Sequence, residues 1–265
     1  MPVNPEAVAR AGDRWIWIPD GAELVESDEL LFVRYPWYRT PWQLQRMTTT
    51  RPVETVLDEG LARLREADPD ATAVTAWVKL GAPEGLDEAL LARGAAYDET
   101  VDVLGLDLRE GLPDLEPGPA EVRPVASAAD VGAARRIDLA AFGSAPHDAG
   151  ADADARSARE NAESCAAGRG GGFLARLGDE AVGAGGVTID GDTARLWGAG
   201  VLPEARGRGV YRALLAERLA YGIRHGAALA LVKGRIDTSA PTLRRAGFTA
   251  VGQERSYRLP LDAAT

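Results

Sequence analysis

A short stretch rich in glycine and arginine precedes a helical pattern in the C-terminal half of the chain. It reads RGRG over residues 206–209, and apolar positions then recur at the spacing of an amphipathic helix over residues 207–225. The first amides of a helix lack intrahelical acceptors and carry the positive end of its dipole. Because glycine admits a ligand close to the backbone, these glycines and arginines predict an anion site. A surface turn with solvated arginines remains the alternative.

The stretch lacks the spacing of the common nucleotide-binding loops. The chain contains no G-x-x-x-x-G-K-[ST] sequence, and GRGVY lacks the third glycine of a dinucleotide fingerprint. Neither a nucleotide hydrolase nor a hydride-transfer enzyme is therefore supported.

Charge is distributed unevenly along the 265 residues. The net charge is −10, but residues 1–120 carry −12 and the remainder +2. Residues 203–258 hold eleven basic and four acidic side chains. A basic segment in an acidic protein favours a compact polyanionic ligand, because a long nucleic acid would be repelled by the rest of the surface. We therefore expect no nucleic-acid partner; a nucleic-acid binder would show a strongly salt-dependent complex.

The composition argues against metal, disulfide and membrane roles. One cysteine, Cys165, excludes an internal disulfide, and two histidines leave little for zinc. Cys165 is expected to be a bystander, because nothing near it in the sequence would lower the pKa of its thiol. No apolar run approaches the roughly 18 residues of a membrane span, and the N-terminus lacks the pattern of a signal peptide. We expect a cytoplasmic protein with no metal and no membrane association.

The elements around the glycine stretch follow from periodicity and turn signals. Strands separated by Gly-Asp, Asp-Glu and Asp-Gly-Asp predict an antiparallel meander before the stretch. His225 and Gly226 are expected to end the amphipathic helix. In order, the predicted elements are a strand at 121–125, helices at 127–143 and 153–168, strands at 171–178, 180–190 and 192–203, the amphipathic helix, a strand at 228–234, a helix at 239–247 and one or two strands in 248–261.

The two halves of the chain resemble each other. Residues 90–108 align with 243–261 without a gap, and an amphipathic helix precedes each segment. An internal duplication explains this, with chance similarity of two strand-helix-strand units as the alternative. Four prolines in 109–124 indicate a boundary, which gives domains 1–116 and 121–265. The first copy enters its helix through TTTRPVE, which contains no glycine.

The order strand, loop, helix, strand, helix, GF, strand resembles the GNAT superfamily of acyl-CoA N-acyltransferases over residues 121–265. RGRGVY supplies Arg206 and Gly209 of the family's Q/R-x-x-G-x-G/A loop and departs from it at Tyr211. The resemblance implies an α/β (α+β) fold, with a mixed, mostly antiparallel sheet flanked by helices. It also implies two related lobes, of which the N-terminal one is a degenerate GNAT-like copy.

The resemblance further implies an acetyl-CoA co-substrate and an amine acceptor. In the family, loop amides hold the coenzyme A pyrophosphate and the preceding strand runs beside the pantetheine arm. The acceptor would be a small-molecule amine or a peptide N-terminus. The implied coenzyme-binding residues are Ala199, Gly200, Val201, Arg206, Gly207, Arg208, Gly209, Val210, Tyr211 and Arg212.

The chain lacks the catalytic acid and base that the family often uses, so a noncatalytic acyl-CoA-binding module remains an alternative. The family often has a tyrosine acid where this chain has Leu243, and the strand ARLWGAGV offers no carboxylate. Tyr257, Glu254 and Ser239 are the catalytic candidates. Their plain alternatives are core packing for the tyrosine, a solvated strand position for the glutamate and a helix cap for the serine. Further candidates are Ser256, Thr238 and Tyr211. His147 and Asp148 lie in a loop where the family admits its acceptor, with a flexible acidic loop as the alternative. Five of the six tryptophans lie in the first half, where they could line a substrate cleft or form a packed core.

Overall fold

The computed structural model describes residues 3–115, 118–143 and 150–261. The chain forms two compact units: unit 1 consists of Met1–Val8, Leu104–Lys233 and Pro241–Thr249, and unit 2 of Ala9–Val103, Gly234–Ala240 and Ala250–Thr265. These units differ from the domains 1–116 and 121–265, which divide the chain by its internal similarity and stay a prediction.

Helices and strands alternate through most of the described chain. The elements of the first half are α1 (Pro5–Asp13), β1 (Leu24–Glu26), β2 (Leu30–Arg34), β3 (Trp42–Met47), α2 (Val53–Ala67), β4 (Ala73–Val78), α3 (Leu86–Ala92) and β5 (Ala96–Asp107). Those of the second half are β6 (Glu121–Pro124), α4 (Ala128–Phe142), α5 (Ala151–Ala166), β7 (Gly170–Leu177), β8 (Glu180–Asp190), β9 (Thr193–Val201), α6 (Val210–Arg224), β10 (Leu229–Arg235), α7 (Ser239–Arg245) and β11 (Thr249–Pro260).

Unit 2 is built on strands in the order β1-β2-β3-β4-β11-β5. Antiparallel pairs join β1 to β2, β2 to β3 and β4 to β11, whereas β3 and β4 are parallel. Helix α2 buries a stripe that includes Val56, Leu57 and Leu64 against Phe32 and Leu44 of the strands. Burial of these side chains removes apolar surface from water and fixes the helix on the sheet.

Unit 1 is built on strands in the order β10-β9-β8-β7-β6. The predicted meander of β7, β8 and β9 is antiparallel and is confirmed, while β9 and β10 are parallel. Neighbouring residues of β8 point to opposite faces. Ala184 packs with Ile137 of α4, whereas a Cβ built on Gly183 would lie 2.8 Å from Val210 Cγ1 of α6. Helices therefore flank both faces, as the predicted fold class requires.

Helix α4 begins at a capping box. The Ser127 hydroxyl accepts a hydrogen bond from the Asp130 amide, and the Asp130 carboxylate accepts one from the Ser127 amide. Asp130 also forms an ion pair with Arg176 of β7 at 2.7 Å. Ile137, further along α4, is buried and packs on the small residues of β8 and β9. The cap and this contact fix α4 against the strands.

The element boundaries support the internal duplication without proving it. Each boundary of α7 and β11 lies 153 positions after the corresponding boundary of α3 and β5, as in 86 to 239 and 96 to 249. The parallel pair β3 and β4 also corresponds to the parallel pair β9 and β10. Both halves thus place a fifteen-residue helix between two parallel strands, α2 in one and α6 in the other.

Candidate functional site

The glycine loop opens directly into α6. Gly207 and Gly209 have φ angles of +73° and +79°, a left-handed conformation that strongly favours glycine. Gly209 is the residue before the helix, so the N-cap position has no side chain that could bond to the first-turn amides. A Cβ built on Gly207 would meet no atom of the described residues within 4 Å. The loop therefore offers an open approach to the first amides of α6, a favourable position for an anion.

Three exposed arginines surround this loop: Arg206, Arg208 and Arg212. Arg206 Nε donates to the Val201 carbonyl at 3.3 Å, which ties the loop to the end of β9. Other members of the basic segment are engaged elsewhere, in ion pairs of Arg224 with Glu217, Arg235 with Glu99 and Arg255 with Asp87. Only part of the positive charge of residues 203–258 is therefore available to an anion at the loop.

Strand β9 separates from β10 before it reaches the loop. The parallel register runs from Leu229 opposite Thr193 to Val232 opposite Leu196. On its other edge β9 continues along β8 to Val201, with a register shift at Gly198, where φ is +59°. Residues 197–201 consequently leave the β10 ladder while β8 holds them in place. Their backbone can pair with an extended ligand, as an unpaired strand edge does.

Tyr211 has its hydroxyl on the inner side of α6. This hydroxyl lies beside the guanidinium of Arg218, whose side chain is only 1% exposed. Burial raises the pKa of Tyr211, and the neighbouring positive charge of Arg218 opposes that shift. Arg218 Nη1 also donates to the Gly186 carbonyl at 3.2 Å, and Nε to Leu214 at 3.0 Å. The ring thus faces the sheet, while the backbone amide of residue 211 remains in the first turn of α6.

A cavity of about 190 Å³ lies on the α4 and α5 side of unit 1 and includes Gly198 of β9. Asp138 of α4 lines it, and burial raises the pKa of this carboxyl group to about 6 from 3.8. The remaining lining residues are mostly apolar or small: Val125, Val131, Ala134, Ser157, Asn161, Gly172, Phe173, Ala184, Gly185, Trp197 and Gly198. A carboxylate in such surroundings suits a cationic or proton-donating ligand.

Hydrogen bonds hold two walls of this cavity in place. The Asn161 amide group donates to the carbonyls of Val125 and Gly172 at 2.8 and 3.1 Å and accepts from the Gly172 amide at 2.7 Å. Trp197 Nε1 donates to Thr188 Oγ1 at 3.0 Å, and the indole ring lies over Gly186, where a Cβ would come within 2.1 Å of it. Asn161 is thus engaged with the backbone, and Asp138 is the charged group of the lining.

Neither Asp138 nor Arg218 was among the sequence candidates. Both lie in helices whose other residues gave an ordinary amphipathic pattern. A usable signal exists for Asp138: Val131, Ala134 and Asp138 follow the i, i+3, i+7 spacing of a buried face, so the acid continues an apolar stripe. All three side chains line the cavity.

The predicted catalytic residues Tyr257, Glu254 and Ser239 belong to unit 2, whereas the predicted coenzyme residues belong to unit 1. Tyr257 lies in the hydrophobic core of unit 2 and packs edge-on against Tyr97, with ring centroids 6.1 Å apart. Glu254 is fully buried, so a solvated strand position is wrong for it; β11 is an interior strand between β4 and β5. Ser239 is the first residue of α7. Their catalytic roles stay predictions.

The other candidates are dispersed. Ser256 is buried, and its hydroxyl lies 3.5 Å from Asp98 Oδ2. The Thr238 amide donates to the Arg235 carbonyl. Burial raises the pKa of the Cys165 thiol, which makes its thiolate scarce. His147 and Asp148 lie outside the described residues.

The tryptophans of the first half do not form one group. Trp42 is buried in the core of unit 2, whereas Trp17 is 54% exposed and stacks with Tyr35. Trp15, Trp37 and Trp77 are partly exposed. A packed core therefore accounts for Trp42 but not for the aromatic cluster around Trp17.

The first-half counterpart of the glycine loop is occupied by ion pairs. Helix α2 follows Pro52, and Arg51 beside it pairs with Glu29 at 2.7 Å and with Glu59. These residues line a separate cavity of about 200 Å³ in unit 2. Carboxylates paired with the arginine before α2 oppose the binding of a phosphate there. The anion site predicted at α6 therefore has no predicted counterpart at α2.

The described residues hold neither a candidate metal site nor a candidate membrane-spanning helix. No group of three or more histidine, cysteine, aspartate or glutamate side chains in 3–115, 118–143 and 150–261 could hold a metal ion. Within the same ranges, no helix has both the length and the apolar character needed to cross a membrane.

Residues 136–248 match the family model described as acetyltransferase (GNAT) family. No curated protein sequence matches the chain. Among solved structures, the chain resembles a GCN5-related N-acetyltransferase from Kribbella flavida, with 19% identity, coverage of 98% of this chain and 97% of that one, and a TM-score of 0.67. A GCN5-related N-acetyltransferase from Sphaerobacter thermophilus gives 17% identity, coverage of 96% and 85%, and a TM-score of 0.65. A tandem GNAT protein from the clavulanic acid biosynthesis pathway gives 18% identity, coverage of 97% and 88%, and a TM-score of 0.60. The resemblance to GNAT proteins and the predicted fold class are confirmed; the degenerate first copy stays a prediction.

Proposed function

Because residues 136–248 match the acetyltransferase (GNAT) family, we propose that this protein transfers the acetyl group of acetyl-CoA to the amine of a small molecule or a peptide N-terminus. The observation that carries the proposal is the glycine loop. It presents an uncapped helix start, two left-handed glycines and three exposed arginines next to a strand that has left its neighbour. The family binds acetyl-CoA as its co-substrate.

The residues of the loop fit the phosphates of the coenzyme. The open space at Gly207 admits an anion to the first amides of α6, and Arg206, Arg208 and Arg212 supply charge at the rim. A hydrogen bond to a charged group contributes about 1.5–3 kcal/mol, so a few such contacts account for micromolar affinity. The backbone of Ala199, Gly200 and Val201 would lie beside the pantetheine arm.

The cavity beside Gly198 is the acceptor site in this proposal. It lies at the same segment of β9 that leaves β10, so an acceptor there and an acyl group on β9 would meet at Gly198. Holding two reactants in a suitable geometry corresponds to effective molarities of about 10⁵ M or more. Positioning alone would thus contribute a large part of the acceleration.

A noncatalytic acyl-CoA-binding module is the second candidate. The observation that favours it is Leu243, which is fully buried at the position where the family often has its tyrosine acid. Such a module would bind the coenzyme through the same loop but would release no thiol when amines are added.

Calorimetry with acetyl-CoA tests the proposal, with two glycine variants as a matched pair. Gly207→Val and Gly191→Val impose a similar backbone strain, because the glycines have φ angles of +73° and +58° and a Cβ on either would meet no atom of the described residues within 4 Å. Only the first would obstruct the ligand. We expect Gly207→Val to weaken binding at least about tenfold, equivalent to about 1.4 kcal/mol, and Gly191→Val to leave the affinity unchanged.

No binding of acetyl-CoA to the wild type at millimolar concentration, or equal affinities of both variants, would contradict the proposed function. Release of thiol from acetyl-CoA with any member of a panel of small amines and peptides would exclude the noncatalytic module.

A further inference from the structure

We infer that Asp138 is a catalytic residue, which receives the ammonium group of a small primary alkyl amine and takes its proton before the amine attacks the acyl group. This inference rests on the proposed function and deepens it, because it names the base and the chemical class of the acceptor. It stands on the position of one carboxylate in the cavity beside Gly198.

Among the described residues, Asp138 is the one titratable side chain that lines the cavity. Helix α5 contributes Ser157 and Asn161, which do not titrate, and the strands contribute apolar or small residues such as Phe173 and Trp197. Arg135 of α4 and Asp154 of α5 form an ion pair with each other at 2.5 Å. Among the described groups, desolvation is the cause that raises the pKa of Asp138. A cation entering the cavity would therefore meet an acceptor of both charge and proton.

Size and polarity define the amine. At about 30 Å³ for each water-sized group, 190 Å³ holds about six non-hydrogen atoms. Val125, Val131, Ala134 and the ring of Phe173 favour a methylene chain over a polar one. An aminoalkyl end of three to five atoms satisfies both limits, and a larger acceptor would leave the rest of its structure outside the cavity.

The proton transfer balances without a further reactant. The Asp138 carboxylate takes one proton from the ammonium group, which gives the free amine and a neutral carboxylic acid. The nitrogen forms a bond to the thioester carbonyl carbon, the carbon–sulfur bond breaks, and the sulfur leaves as thiolate. The second proton lost by the nitrogen neutralises the thiolate, and Asp138 returns its proton to solvent.

A base near neutrality is effective because it is ionised at the working pH and still accepts a proton readily. With the pKa of Asp138 at about 6, the carboxylate is the main form at pH 7.5. The rate with an amine should therefore fall with falling pH as this group is protonated. Loss of a general base costs about 10² to 10⁴ in rate.

The test combines binding and titration with turnover, so that it does not depend on knowing the natural acceptor. The probes are n-butylamine and, as the neutral analogue, n-butanol. The ¹³C resonance of the Asp138 carboxyl, assigned by its loss in Asp138→Asn, is followed from pH 4 to 9 with each probe. We expect a midpoint near pH 6 and a shift of that midpoint to lower pH with the amine only. Glu160→Gln, which removes an exposed carboxylate from α5, is the matched control.

Thiol release is measured with acetyl-CoA and n-butylamine in the same proteins. We expect Asp138→Asn to lose at least about 10²-fold in turnover while its affinity for acetyl-CoA stays within twofold, and Asp138→Glu to recover part of the loss. Calorimetry separates the two proposals. If the wild type binds acetyl-CoA and Asp138→Asn transfers the acetyl group as fast as Glu160→Gln, the role of Asp138 is overturned while the proposed function stands. A carboxyl midpoint insensitive to n-butylamine overturns the amine class, even when turnover is absent.

Discussion

We expect Tyr211→Phe to destabilise the protein while leaving its affinity for acetyl-CoA unchanged. The substitution removes one oxygen atom and keeps the ring, so it leaves no cavity. It also keeps the backbone amide of residue 211, which is the group that the proposed coenzyme site uses. What is lost is the polar interaction between the phenol and the guanidinium of Arg218.

The magnitude follows from the burial of Arg218, which is 1% exposed. Its guanidinium donates to the carbonyls of Leu214 and Gly186 and, at 3.4 Å, to that of Trp197. Water cannot easily reach the donor that Tyr211 leaves behind, so we expect a loss of about 1–3 kcal/mol in the free energy of unfolding. For a chain of this size each kcal/mol lowers Tm by about 2–4 °C.

Urea denaturation and thermal melting measure this loss, with Tyr97→Phe as the matched control. The Tyr97 hydroxyl bonds to Thr100 Oγ1 at 3.0 Å, but Tyr97 is 56% exposed, so water can replace the bond and the change should stay within about 0.5 kcal/mol. A double-mutant cycle with Arg218→Met should give a coupling of about 0.5–3 kcal/mol.

Equal stabilities of Tyr211→Phe and Tyr97→Phe would contradict this prediction. A Tyr211→Phe protein of wild-type stability that bound acetyl-CoA tenfold more weakly would show that the phenol faces the coenzyme. Either result would remove the explanation for a tyrosine at a position where the family has glycine or alanine.

Two further predictions concern the cavity. Since the pKa of Asp138 is raised to about 6 from 3.8, the folded protein holds a proton between about pH 4 and 6 that the unfolded chain releases, and the free energy of unfolding falls as the pH rises through this window. We expect Asp138→Asn to abolish this fall. At pH 8 its free energy of unfolding should exceed that of the wild type by less than about 3 kcal/mol, because the Asp138 carboxyl is partly exposed and solvent screens its charge. Urea denaturation that gave the same stability difference between the two proteins at pH 4.5 and at pH 8 would contradict this. Gly186→Ala should displace the indole of Trp197. We expect it to raise KM for the amine more than tenfold, with little change in KM for acetyl-CoA, in a steady-state assay of thiol release. An unchanged KM for the amine would argue against Trp197 as a wall of the acceptor site.

Local sequence patterns predicted the helices, turns and strands that depend on residues close together in the chain. The helix after RGRG, its end at His225 and Gly226 and the meander before it all follow from periodicity and turn residues a few positions apart. The same patterns show only that Asp138 continues an apolar stripe and do not mark Arg218 as buried, because the surroundings of both come largely from strands 21 or more positions away.

Glu254 shows the converse error. Its charge suggested a solvated position, since strands with one exposed face alternate between polar and apolar residues. In the structure β11 is an interior strand, and Glu254 and Ser256 are both fully buried. Which strand is interior depends on pairing between distant segments, so the alternation of a single strand cannot show it.

The proline-rich connector has a part in the coenzyme loop as well as in joining segments of sequence. A Cβ built on Gly118 would lie 2.3 Å from the Gly209 carbonyl oxygen, and one on Gly209 would lie 3.1 Å from Gly118 Cα. These two glycines, 91 positions apart, pack so closely that neither leaves room for a side chain on the other. A C-terminal fragment that starts after Pro119 would lose one side of its own binding loop, so the smallest piece that retains the loop intact must begin before Gly118.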